Sequence, residues 1–210
     1  MEKEKELLIK NFPELASNDS KLNEKLDQVK RIENAFKELL DLCGDDPTRN
    51  GVLNTPYRVI KAFLEYSEGY REDPKKHLKT VFDIPNKELI IVKGIEFYSM
   101  CEHHLAPFFG VVHVGYIPDK RLTGLSKIAR VVEGYARRFQ VQERLTSEII
   151  NAIMSELEPL GAMVVVEAKH MCMCSRGVKK GDSVTTTSAV RGIFEKQASS
   201  RAEFLSLIKG

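Results

Sequence analysis

Near residue 88 the apolar residues of this chain change their spacing, and that change fixes the class of fold. Upstream, Val29, Ile32, Phe36, Leu39 and Leu40 follow Leu26 at three- and four-residue intervals, one face of an amphipathic helix. Gly44-Asp45-Asp46-Pro47 ends it. Thr55-Pro56 opens a second helix, threonine as N-cap and proline in the first turn, with Val59, Ile60, Phe63 and Leu64 inward. Downstream, residues 89–92 and 108–117 are rich in β-branched and aromatic side chains and read as strands. Ser126 then reads as the cap of a helix carrying Ile128, Val131, Val132, Tyr135 and Phe139, and a further helix covers about 143–158. Residues 163–168 form a strand, 177–182 a turn and 184–194 another strand, and Ser199 and Ser200 cap a short final helix. The order β-β-α-α-β-β after an N-terminal helical segment predicts an α+β fold with a mainly antiparallel sheet. The expected division is a helical segment, 1–70, and a catalytic domain, 71–210, with the polar stretch 71–87 between their cores.

Composition narrows the function. At 210 residues the chain has room for one sizeable core. Its formal net charge of +2 is too small to hold nucleic acid by net charge. No apolar run approaches the roughly 18 to 20 residues of a membrane span, and Met1-Glu2-Lys3-Glu4-Lys5-Glu6 lacks a signal peptide's apolar stretch. Neither a nucleic acid nor a membrane is therefore expected as partner, and the expected location is cytoplasmic, where thiols stay reduced. In such a compartment Cys43, Cys101, Cys172 and Cys174 are read, together with histidines, as metal-binding or catalytic before disulfide-forming.

Two short segments concentrate the metal-capable side chains: Cys101-Glu102-His103-His104 and His170-Met171-Cys172-Met173-Cys174. Zinc takes thiolate and imidazole ligands in a tetrahedron, so a C-x-x-H beside a distant cysteine suits it. On an extended backbone His170, Cys172 and Cys174 share one face, while His103 and His104 diverge. The residues alone leave two arrangements. A closed site of Cys101, His104, Cys172 and Cys174 is structural; three ligands with an open position and spare histidines are catalytic, since imidazole moves protons near neutral pH.

Cations and a carboxylate complete the inventory. Leu125-Ser126-Lys127-Ile128-Ala129-Arg130 sets Lys127 and Arg130 on one face of a helix start, where phosphate binds well. A solvated helix face is the simpler account of that stretch alone, and single arginines such as Arg176 and Arg58 are usually surface residues. Glu143, beside Gln142, suits a first helical turn through the dipole. It also suits the ring N–H and exocyclic amine by which guanine differs from adenine.

Together these stretches resemble GTP cyclohydrolase I. The resemblance runs in order from about residue 30 to 208. It is carried by Cys101-Glu102-His103-His104, Gly124-Leu125-Ser126-Lys127-Ile128-Ala129-Arg130, Gln140-Val141-Gln142-Glu143-Arg144-Leu145-Thr146 and His170-Met171-Cys172-Met173. Arg176-Gly177, Thr185-Thr186-Thr187-Ser188, Thr55-Pro56-Tyr57-Arg58 and Arg201-Ala202-Glu203-Phe204-Leu205 extend it. It implies a tunnelling fold, an antiparallel sheet with paired helices. It also implies a homo-oligomer, a decamer of two stacked pentamers with active sites at subunit interfaces. Cys101, His104 and Cys172 would hold Zn2+ and leave a fourth position for a water of lowered pKa. His103 and His170 would shuttle protons, and Ser126 would sit by the phosphates or ribose. Gln142 and Glu143 would hold the guanine edge of GTP; Lys127, Arg130, Arg176 and Arg58 would hold its triphosphate. The implied reaction opens the guanine ring, loses C8 as formate and recloses to 7,8-dihydroneopterin triphosphate. Cys174 becomes an extra thiol on this alignment, and a regulatory protein partner stays open. A nitrile reductase or a carbon–carbon-cleaving pterin enzyme of the same fold, a zinc-stabilised binding module and a silent regulatory relative are the competing readings. The paired Cys/His segments, with no ligand or histidine missing, argue against the enzymes and the silent relative.

Overall fold

A computed structural model describes residues 2–83 and 87–209, so 84–86 of the polar 71–87 stretch lie outside the described residues. The chain divides into two compact units, Met1–Glu68 and Gly69–Gly210.

The first unit is helical: α1 (Glu2–Asn11), a 3-10 turn (Pro13–Ser17), α2 (Asp19–Leu42) and α3 (Thr55–Tyr66). Leu7, Leu8, Leu15, Leu22, Val29 and Ile60 form its core, so α1 and α3 pack on the first half of α2. Farther along the expected α2 face, Ile32 and Leu39 are exposed, as is Leu42 at the helix end. Asn54, not Thr55, occupies the N-cap of α3, and Pro56 sits in the first turn as expected.

The second unit is mixed α and β, as its periodicity requires. After two 3-10 turns come β1 (Val81–Asp83), β2 (Ile90–Cys101), β3 (Pro107–Ile117), β4 (Arg121–Thr123), α4 (Leu125–Ala136), β5 (Phe139–Gln140), α5 (Gln142–Leu157), β6 (Gly161–His170), α6 (Met171–Cys174), β7 (Thr185–Gly192), α7 (Ile193–Lys196) and α8 (Ala198–Lys209). Five strands form one sheet in the order β5-β2-β3-β6-β7, antiparallel except for the short β2–β5 pairing, and β1 pairs with β4 separately.

Strand β2 is longer than residues 89–92 because a bulge interrupts its alternation. Its register against β3 passes from Val92↔Val114 to Ile95↔Val112, so one extra residue sits on β2 at Lys93-Gly94. Gly94 takes φ +71°, a conformation glycine adopts at no steric cost. Past the bulge the inward positions switch from even to odd: Ile90 and Val92 pack on the helical side before it, Ile95, Phe97 and Cys101 after it. Phe97, Phe108, Val112, Val114 and Tyr116 of the sheet meet Ile128, Val131 and Val132 of α4 and Leu145, Ile149 and Ile153 of α5. The opposite face carries a smaller cluster, Met163 and Val165 under Phe194 and Phe204.

At the start of α4 the cap is Gly124, with extended backbone, and Ser126 falls inside the first turn. The serine is therefore free of a capping duty. A final helix at α8 with Phe204, Leu205 and Ile208 inward matches the expected pattern.

Candidate active site

Three strand ends and one helix start meet at a single corner of the second unit. Strand β2 ends at Cys101, β6 ends at His170, β5 pairs its Gln140 with Cys101, and α5 begins at Gln142. Between β2 and β3 the chain turns through Glu102, His103, His104 and Leu105. Cys101 N–H bonds Ala106 O at 2.9 Å and Leu105 N–H bonds Cys101 O at 2.9 Å. Leu105 adopts φ +49°, rare for a side-chain-bearing residue and typical of tightly held turns at sites.

Beyond His170 the β6 strand has no further partner on β3, whose register ends at Phe108↔His170. The chain coils into the single turn α6, and Cys172 swings back to Cys101. The ligand atoms of Cys101, His104 and Cys172 all lie within 4.8 Å of one another. A tetrahedral zinc with bonds of about 2.0–2.3 Å holds its ligands roughly 3.3–3.8 Å apart, so this trio is close to ready for the ion. Burial, with the neighbouring Cys101 sulfur adding to it, pushes the Cys172 thiol up. A cation beside the two sulfurs favours both thiolates and offsets that. Cys174 turns away: its thiol faces Gly181 O at 3.8 Å. The shared face expected for His170, Cys172 and Cys174 fails because residues 171–174 are helical, not extended.

His103 stays beside the trio, its Nδ1 3.9 Å from Cys101 Sγ. His170 stacks on Phe108, ring centroids 4.6 Å apart and planes 3° from parallel, with Nε2 2.8 Å from Gln142 Oε1. Burial lowers the His170 pKa, and Glu143 pulls it the other way. Cys101, His104, Cys172, His103, His170 and Glu143 line one open cleft of about 230 Å3 that Gln142 and Met173 also border.

Sequence reasoning passed over Arg144. It reaches from α5 to Glu102 in the turn, and it donates to Gln140 Oε1 and Phe139 O at 2.9 Å each. This contact keeps the Glu102 carboxyl below its ordinary range. The signal was present only as an acid and a base in two separate motifs. Ser126, Lys127 and Arg130 are not among the residues lining the cleft. Ser126 and Lys127 stand in the first turn of α4 and Arg130 halfway along it, while the other end of that helix leads into β5 at the cleft. Arg176 is exposed just past α6, where its charge partly opposes the upward push on the Cys172 thiol, and Arg58 lies exposed in the first unit.

A family model described as GTP cyclohydrolase I matches residues 32–209. The chain belongs to the GTP cyclohydrolase I family. A curated GTP cyclohydrolase 1 of Geobacillus kaustophilus is 57% identical over 180 residues, covering 85% of this chain and 96% of that protein. Its counterpart from Bacillus mycoides is 57% identical over 182 residues, covering 86% and 96%. A solved structure of the archaeosine synthase QueF-Like in the apo form overlaps 50% of this chain and 93% of its own, with a TM-score of 0.40 and 19% identity, too remote to inform function. Family membership makes this chain a GTP cyclohydrolase I, a hydrolase of pterin and folate biosynthesis, and the Cys101-His104-Cys172 group is its metal-capable site. No helix among the described residues is long and apolar enough to cross a membrane.

Proposed function

We propose that the chain hydrolyses the guanine ring of GTP at a zinc site made by Cys101, His104 and Cys172, releases C8 as formate and recloses the remainder to 7,8-dihydroneopterin triphosphate. The observation that carries this is the convergence of two thiols and one imidazole within 4.8 Å, in the same cleft as His103, His170 and Glu143. When bound, zinc supplies a Lewis acid and lowers the pKa of water at its open position. His103 and His170 carry protons to and from the opening ring. Glu143, exposed in the first turn of α5, accepts the guanine N–H donors.

The cleft of about 230 Å3 lies below the roughly 300–1,000 Å3 of sites for drug-sized ligands, which suits a base and not a whole nucleoside triphosphate. With Ser126, Lys127 and Arg130 on α4 and outside the lining of the cleft, they join the triphosphate cradle from a neighbouring copy, and Arg176 and Arg58 add their charge to it. The assembly is a ring of tunnelling-fold subunits, two pentamers stacked as a decamer. Support comes from the sheet: β7 and the two-residue β5 are its edges, and Tyr98, 56% exposed, stacks on Phe109 on the face away from α4 and α5. Edges and aromatic faces of this kind are what strand-to-strand assembly covers. Thiolate ligands support a cytoplasmic enzyme, since that compartment keeps thiols reduced.

Single variants test the site. Cys101→Ser, His104→Ala and Cys172→Ser are expected to lose bound zinc and formate release together, measured by elemental analysis and product assay. Full activity in any zinc-free variant sinks the assignment.

A further inference from the structure

Gln142 is 1% exposed, and every polar atom of its side chain is engaged inside the fold. Its amide nitrogen lies 3.0 Å from Val166 O, 2.9 Å from Thr185 O and 3.1 Å from Thr187 Oγ1. Backbone carbonyls only accept, so that position belongs to the NH2 group; turning the amide over would set oxygen against oxygen. Oε1 is therefore the atom 2.8 Å from His170 Nε2, and it too can only accept. The surrounding hydroxyls agree. Thr146 Oγ1 donates to Gln142 O at 2.7 Å, which leaves the Thr187 hydroxyl to donate to Thr146 at 2.7 Å and accept from Gln142. Phe108, stacked parallel on the imidazole, holds the ring in that plane.

We propose that Gln142 is a positioning residue that selects the Nε2–H tautomer of His170 and, with Phe108, the plane of its ring, leaving Nδ1 as the ring nitrogen with the lone pair. In that tautomer Nε2 carries the hydrogen that Gln142 Oε1 accepts. Nδ1 has no partner among the described residues, and His170 lines the cleft. The sequence had grouped Gln142 with Glu143 at the guanine edge. With its amide fully engaged, Gln142 acts through His170 and leaves the base edge to Glu143. This rests on the reading of His170 as a proton carrier.

Neutron diffraction from the zinc-loaded full chain in heavy water reads the proton directly. Deuterium on Nε2 of His170, alone or with Nδ1, is expected; deuterium on Nδ1 with a bare Nε2 overturns the proposal. Kinetics of Gln142→Met give a second, independent reading. We expect kcat to fall by about tenfold to a hundredfold while KM for GTP stays within about twofold. A raised KM with unchanged kcat returns Gln142 to the guanine edge and overturns the proposal. Wild-type protein that releases no formate would instead sink the cyclohydrolase reading and leave the neutron result standing.

Discussion

Cys172 and Cys174 stand two positions apart and have opposite surroundings, one thiol within 4.8 Å of Cys101 and His104, the other facing Gly181 O. Cys174→Ser is therefore expected to keep zinc content and turnover at the wild-type level, measured alongside Cys172→Ser, which loses both. Zinc loss in Cys174→Ser would mean that four side chains close the site. The motifs were legible because C-x-x-H spacing is a local property; the division between Cys172 and Cys174 was not, because it depends on where β6 runs out of a partner strand. His113 carries the clearest pH effect away from the metal. Its Nδ1 accepts the Gly94 N–H at 3.2 Å, which requires the neutral ring at that nitrogen. Burial holds its pKa below the ordinary value, Glu167 opposing and Lys93 adding to the burial. An unfolded histidine takes up a proton near pH 6.5 and the folded one only lower, so this contribution is complete above that pH and is lost as pH falls through it toward the folded value. Wild-type urea midpoints should thus drop between about pH 7 and 5 more steeply than those of His113→Gln. Parallel curves would remove His113 from the account.

The elements meet at the site through one hairpin and one helix start. Arg144 on α5 binds Glu102 of the β2–β3 turn and donates to Gln140 and Phe139 of β5, so it holds the turn bearing His103 and His104 against the helix that carries Glu143. Arg144→Ala is expected to lower zinc affinity and kcat roughly tenfold, as loss of a ligand's supporting contacts commonly does. Stability should fall by only about 1–2 kcal/mol, since the lost hydrogen bonds are partly exposed. Arg144→Lys should recover little, because an ammonium lacks the planar fork that serves Glu102, Gln140 and Phe139 at once. Unchanged zinc titration in both variants would contradict this. Helices α4, α5 and α8 were legible from three- and four-residue apolar spacing, but α4 stops at Ala136 and Phe139, expected on it, pairs with Met100 as part of β5. The second half of β2 was not, because the Lys93-Gly94 bulge breaks the alternation that marks a strand. Ser126 was misplaced as a cap because Gly124, with no side chain to signal it, does that task by backbone alone.

At the scale of the whole molecule, Gln142 and Glu143 open α5 at the cleft while Lys127 and Arg130 sit on α4 and do not line it, and no sequence pattern reveals that separation. Tyr98 on the open sheet face and Leu39 and Leu42 on α2 are apolar surfaces left exposed in a single chain of 23.8 kDa. Sedimentation of the active protein should accordingly give a particle several times that mass; full activity in a 23.8 kDa monomer would refute a site shared between copies. GTP turnover reads the chemistry itself. Purified protein should be assayed as prepared, after chelation and after zinc is restored, following formate and, after oxidation, neopterin fluorescence. Both products are expected together, lost on chelation and regained with zinc. A folded, zinc-loaded assembly that binds GTP and yields neither product would contradict the proposed chemistry.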